Sequence, residues 1–234
     1  MIPIKSFLGL TLIDWPGKIA SLIYLGGCNF RCPFCYNVDL VKNPEKIPNI
    51  KEKEILEKLE ERKNFIEGVV LTGGEPTLTL NLGDFLKRIK KIGLKIALET
   101  NGSRPEVLKD LMKKNLIEGV FMDIKGPLEK YEKIAKVKID KEKIKKSVNL
   151  IFENFPKIEG EFRTTIVPTL LDKEDIEKIG QWLKGDVPYA LQQFQNKKTL
   201  DSKFQKIKPY EKKDLEGIVK IASKYFKKVE LRGI

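Results

Sequence analysis

The stretch Cys28-Asn29-Phe30-Arg31-Cys32-Pro33-Phe34-Cys35 contains all three cysteines of a 234-residue chain. Thiols spaced by three and then two residues can face one inorganic centre from a single loop. A structural zinc site takes four Cys or His ligands, and the chain has neither a fourth cysteine nor any histidine. A disulfide framework leaves one of three thiols over, and a redox Cys-x-x-Cys pair leaves Cys28 without a role. The centre that suits the set is an iron-sulfur cluster with three protein ligands, which leaves one iron open to bind something else.

The residues on either side predict the fold. An apolar run from Ile19 to Leu25 leads into the cysteines, and five more follow: Gly68 to Leu71, Leu94 to Leu98, Gly119 to Ile124, Glu161 to Val167 and Tyr189 to Phe194. Between them, apolar residues recur with helical period: Ile55, Leu56 and Leu59; Phe85, Leu86 and Ile89; Val107, Leu108 and Leu111. Later helices carry Ile144, Val148, Leu150 and Ile151, then Ile176, Ile179 and Leu183, and last Leu215, Ile218, Val219 and Ala222. Asn49 with Glu52, and Asp172 with Asp175, have the spacing of helix-starting capping boxes. Strand-helix alternation calls for parallel strands joined by right-handed crossovers. Six units are too few to close an eight-stranded barrel, so the expected fold is α/β, an incomplete (β/α)6 TIM-like barrel in a single domain over residues 1–234. Its parts would be an N-terminal cover over 1–18, the partial barrel over 19–195 and a basic C-terminal segment and helix over 196–234. Within the cover, Phe7 to Trp15 is expected as a short hairpin or irregular segment, with Pro16-Gly17 as a turn and Trp15 in a packing role. The run Val229-Glu-Leu-Arg-Gly is expected as a seventh short strand at the sheet edge.

Charge and hydropathy narrow the function classes. No apolar run approaches membrane-spanning length and the N-terminus lacks a signal-peptide pattern, so the expected location is the cytoplasm, with no membrane partner. The net charge of +12 is spread among interleaved Lys and Glu, a surface common in thermophiles. A strong local excess, Lys197 to Lys213, has only Asp201 and Glu211 against it and suits an acidic electron donor or protein substrate. No nucleic-acid motif accompanies it, so no nucleic-acid partner is expected.

Unusual residues gather where the strands end, which in a parallel barrel is the active face. The second strand runs into Thr72-Gly73-Gly74-Glu75-Pro76, where two glycines allow backbone to approach a ligand closely. The third ends in Glu99-Thr100-Asn101-Gly102 and the fourth in Met122-Asp123-Ile124-Lys125, with Asp123 and Lys125 two apart and so on one face. Arg163 is a lone cation in an apolar fifth strand, and the sixth ends in Leu191-Gln192-Gln193-Phe194-Gln195.

The cysteine spacing, with Phe34 before the last cysteine and Gly73-Gly74-Glu75 about forty residues on, resembles the radical SAM superfamily. The match to glycyl-radical-enzyme activases runs from Gly9-x-Thr-x-x-Asp-Trp-Pro-Gly17 through the sixth strand. With Gly26-Gly27 and Tyr36-Asn37 flanking the cysteines, it is most similar to anaerobic ribonucleoside-triphosphate reductase activating proteins. The resemblance implies that Cys28, Cys32 and Cys35 hold a 4Fe-4S cluster whose open iron chelates S-adenosylmethionine (SAM). It implies that Gly73, Gly74 and Glu75 hold the SAM amino group and Lys125 its carboxylate, with Arg163 facing it and Tyr36, Asn37, Asn101 and Gln195 among the cofactor contacts. Glu99, Thr100 and Asp123 would shape a site for a monovalent cation. Glu99 stands where the family commonly has Asp, Tyr36 where it often has His, and Gln195 where some members have His, which confines position 195 to amide hydrogen bonding. The implied partners are a glycyl radical enzyme, anaerobic ribonucleotide reductase, as hydrogen donor and a flavodoxin- or ferredoxin-type electron donor. The rivals are a compact radical SAM enzyme with a small-molecule substrate, such as the 7-carboxy-7-deazaguanine synthases, and a non-catalytic iron-sulfur electron carrier. Anaerobic reconstitution should give about four iron per chain, and replacing any of the three cysteines by Ala should abolish the cluster's absorbance. A fully loaded triple variant would overturn the ligand assignment.

Overall fold

A computed structural model describes residues 2–234. Eight strands form one sheet in sequence order: β1 (Ile4–Thr11), β2 (Ala20–Leu25), β3 (Gly68–Gly73), β4 (Lys95–Thr100), β5 (Gly119–Asp123), β6 (Glu159–Ile166), β7 (Tyr189–Gln193) and β8 (Val229–Arg232). From β2 to β8 every neighbouring pair is parallel, and the sheet does not close, as an incomplete TIM-like barrel requires. The helices are α1 (Val38–Lys42), α2 (Glu52–Arg62), α3 (Leu82–Lys91), α4 (Pro105–Lys113), α5 (Tyr131–Ala135), α6 (Lys141–Asn154), α7 (Lys173–Leu183) and α8 (Lys212–Ala222). Among the described residues, no helix is long and apolar enough to cross a membrane.

The strands alternate between two cores, as a period of two demands. Ile23, Leu25, Val69, Leu71, Ile96, Leu98, Val120 and Met122 join the helices' Ile55, Leu59, Phe85, Ile89, Leu108 and Ile144 in an outer core. Leu22, Val70, Ala97 and Phe121 face the other way, into a small inner core around Trp15. The indole is fully buried, donates from Nε1 to Glu159 Oε2 at 2.7 Å and meets Phe121 edge-on at 6.1 Å between ring centres. Small residues at strand starts make room for it. A Cβ at Gly68 would stand 2.7 Å from Trp15 Cζ3, and one at Gly119 would stand 3.4 Å from Cζ2.

Two expectations need correction. The N-terminal cover is not a hairpin within Phe7 to Trp15: Ile4–Thr11 is an antiparallel edge strand on β2, and residues 12–18 turn inward as the plug that Trp15 completes. Exposed Ser6, Leu8 and Leu10 alternate with half-buried Lys5, Phe7 and Gly9, so the outward row is largely apolar and hides the strand's period in the sequence. The expected Asn49–Glu52 start is displaced: α2 begins at Glu52, so Lys51 and not Asn49 is its N-cap, with no side-chain cap bond from Lys51. Asp172 and Asp175 do form one. The expected edge strand is β8, pairing parallel to β7.

Trp15→Ala should cost about 3–5 kcal/mol, the range for emptying a large aromatic site in a core. A guanidinium titration checks this, and a loss below about 1 kcal/mol would show that the plug does not support the barrel.

Candidate active site

The C-terminal ends of the strands open into a cavity of about 770 Å³. It is lined by Cys28, Cys32, Cys35, Tyr36, Asn37, Gly73, Gly74, Glu75, Glu99, Thr100, Asn101, Asp123, Lys125, Arg163 and Gln195. The fold thus brings every sequence-predicted site residue to one place, although their contacts differ.

The cysteine loop is held by backbone. Gly74 N donates to Leu25 O and Glu75 N to Gly27 O, both at 2.8 Å, and Asn37 Nδ2 donates to Gly73 O at 2.8 Å. The approach is so close that a Cβ at Gly74 would lie 1.8 Å from Gly27 O, and Gly73 has φ of +110°. Glycine at 74 is therefore required by the cysteine loop itself, before any ligand is considered. Glu75 is 1% exposed, and its carboxylate accepts from Thr77 N, Thr77 Oγ1, Thr100 Oγ1 and Asn101 N. Burial pushes its pKa up, and these donors pull it back down. Asn101 continues the connection, donating from Nδ2 to Asn29 Oδ1 at 2.9 Å.

The side walls follow from register. One inward row joins Tyr24 to Thr72 and Glu99 to Phe121 and Glu161; the next joins Asp123, Arg163, Ala190 and Glu230; a third joins Thr165, Gln192 and Arg232. Arg163 is 4% exposed and spends its fork on protein. Nε donates to Glu161 at 2.6 Å, Nη1 to Glu99, and Nη2 to the Asp14 carbonyl at 2.8 Å, while the guanidinium lies 4.4 Å from the Phe121 ring centre. Arg232 grips Glu161 with two bonds of 2.8 Å. Burial raises the pKa of Glu99, and Arg163 and Thr72 work against that rise. Thr100 does not join Glu99, because adjacent strand residues face opposite sides; its hydroxyl serves Glu75.

Lys125 Nζ lies 3.1 Å from Asp123 Oδ2. Burial opposes its charge, but Asp123 and the neighbouring Cys32 and Cys35 outweigh burial and raise its pKa. Burial also pushes Cys28 up to about 11 and Cys32 up to about 12, with Lys125 pulling both down. Among the described residues, no three Cys, Asp, Glu or His side chains stand close enough to hold a single metal ion. Three thiols lining one cavity are the donor set of a polynuclear iron-sulfur cluster with one side facing the open cavity.

Sequence reasoning missed Asp14, Thr165, Gln192 and Arg232, which also line the cavity. Thr165 was within reach, two residues beyond Arg163 on the same strand face. The others depend on strand pairing and on the inward path of residues 12–18.

The comparisons agree with this geometry. Streptococcus suis SuiB bound to S-adenosylmethionine superposes with a TM-score of 0.65 at 16% identity, over 88% of this chain and 48% of that one, so this chain spans about half its length. The Radical SAM superfamily model matches residues 22–184, and the chain belongs to that superfamily. Membership carries with it a 4Fe-4S cluster and SAM. Two relatives are similar over most of their length. A Methanocaldococcus jannaschii protein named "Putative glycyl-radical enzyme activating enzyme MJ1227" is 34% identical over 234 residues, 99% of this chain and 96% of that protein. The pyruvate formate-lyase-activating enzyme of Clostridium pasteurianum is 31% identical over 190 residues, 78% of this chain and 76% of that enzyme.

Arg163→Ala should destabilise the fold by about 3–5 kcal/mol, because it leaves Glu99 and Glu161 buried with fewer partners. Chemical denaturation measures the loss, and an unchanged midpoint would show that the network contributes nothing to stability.

Proposed function

We propose that this chain is an activase that generates a glycyl radical on a partner enzyme, with anaerobic ribonucleotide reductase as that partner. The observation that carries this reading is the similarity along nearly the whole chain to a relative bearing an activase name. The three cysteines would hold the 4Fe-4S cluster, and the 73–75 backbone would meet the SAM amino group. Lys125, whose ammonium reaches the cavity beside the thiols, would hold the SAM carboxylate. Arg163 acts as a positioning residue, setting Glu99 and the Asp14 carbonyl, and leaves Asp123 with Lys125. A monovalent cation near Glu99 and Asp123 belongs to the same proposal, with Thr100 left to Glu75.

When bound, the cluster and SAM would together supply the chemistry: one-electron reductive cleavage of SAM to methionine and a 5'-deoxyadenosyl radical able to take a hydrogen atom from a partner's glycine. The chain's own task is to orient SAM and exclude water. Leu12 and Ile13, 63% and 74% exposed, stand at the cavity rim where the sheet is open, and a docked partner would cover them.

Lys125→Ala should weaken SAM binding about tenfold to a hundredfold, the worth of one charge-assisted hydrogen bond, with the cluster's absorbance retained. Unchanged affinity would return Asp123 and Lys125 to a purely structural role. For the reaction itself, reduced protein, SAM and the reductase are mixed without oxygen and followed by electron paramagnetic resonance. A glycyl doublet on the reductase, lost when its glycine becomes alanine, is the expected result. Methionine formation without that doublet, together with turnover of a pterin, would assign the chain to small-molecule chemistry instead.

A further inference from the structure

We infer that the basic face around Lys197, Lys203 and Lys206 is the docking site of an acidic one-electron carrier protein. The inference rests on the function proposed above, because that chemistry consumes one electron for each SAM cleaved. A reduced carrier gives up that electron and leaves oxidised by one electron.

The position of the segment argues for this use. After β7 the chain folds back over the cysteine loop: Asp201 N donates to Pro33 O at 2.9 Å, and Lys198 Nζ meets Asp39 Oδ2 at 2.6 Å. Thr199 and Leu200 are buried beneath it, at 5% and 8% exposure. Pro33 lies between Cys32 and Cys35, so the lysines that flank Asp201 sit on the outer side of the loop that carries the thiols.

The charge pattern differs from that of several helix surfaces. On the helices, lysines pair with acids one turn away, as in Lys58 with Glu54, Lys87 with Asp84, Lys114 with Asp110 and Lys145 with Glu142. In the 197–213 stretch only Lys198, with Asp39, and Lys208, with Glu211, are paired among the described residues. Lys197, Lys203 and Lys206 are exposed and have no carboxylate within ion-pair distance. Like charges held together repel one another, and a complementary acidic face relieves that repulsion and steers encounter. Leu12 and Ile13, exposed beside the cavity, are apolar by contrast, so carrier and hydrogen donor would use different surfaces.

The test uses the reconstituted holoenzyme and a triple variant, Lys197→Glu, Lys203→Glu and Lys206→Glu, titrated anaerobically with an acidic ferredoxin at low and at physiological salt. Wild-type affinity should fall as salt rises. The variant should bind at least about tenfold more weakly and accept electrons from ferredoxin correspondingly more slowly. Its cluster absorbance and its SAM cleavage driven by dithionite, which needs no docking face, should match the wild type. Unchanged ferredoxin affinity, or a loss confined to binding of the reductase substrate, would overturn the inference. Absence of dithionite-driven SAM cleavage in the wild type would instead remove the proposed function, while the binding titration still decides the docking site.

Discussion

The contact of Gly74 with the Gly27 carbonyl is the constraint on which the site depends. Any side chain at 74 would collide with backbone at 1.8 Å, and through this contact β3 dictates where the cysteine loop leaves β2. The two backbone bonds beside it, from Gly74 to Leu25 and from Glu75 to Gly27, extend the parallel ladder past the end of the sheet. A loop of eight residues bearing three thiols would otherwise be free to sample many conformations, at a cost of about 1–2 kcal/mol per residue to order. Glu75 then passes the constraint to β4 through Thr100 and Asn101, and Asn101 returns it to the cysteine loop at Asn29. The motif that the resemblance assigns to ligand binding also builds the wall on which a ligand would rest.

Below that wall, the barrel manages the openness of its sheet by filling itself from the N-terminus. Residues 12–18 place Trp15 among Leu22, Val70, Ala97 and Phe121, and Arg163 holds the Asp14 carbonyl above it. Buried charges are costly unless paired. Here Glu99, Arg163, Glu161 and Arg232 alternate in sign across three strands, so each has an opposite neighbour. The network joins both ends of the chain to the middle of the sheet, from Asp14 beyond β1 to Arg232 on β8. The cavity floor is thereby made rigid and polar while its rim at Leu12 and Ile13 stays apolar and exposed.

Much of this was legible in the sequence because it rests on local periodicity and on residue chemistry. The six parallel strands follow from apolar runs alternating with helical repeats, and their ends coincide with the polar residues singled out because strand ends face one side of such a sheet. The three cysteines, close together in sequence, all line the cavity. Asp123 and Lys125 could be set together from the two-residue period alone, and the 3.1 Å contact between them follows.

What only the tertiary structure decided are the partners that lie far apart in the chain. Nothing near Arg163 in sequence announces Asp14, 149 positions away, or Glu99, 64 positions away. Its lone charge in an apolar strand reads equally as a ligand contact or an ion-pair member until register sets Phe121, Glu161 and Ala190 around it. The same holds for β1, whose exposed Leu8 and Leu10 mimic an irregular cover until β2 pairs with it, and for Gln192, placed beside Thr165 and Arg232 by pairing alone. Sequence determines which residues a strand offers to each face; strand pairing and chain entry determine which of those offers meet, because such contacts form between segments that share no local signal.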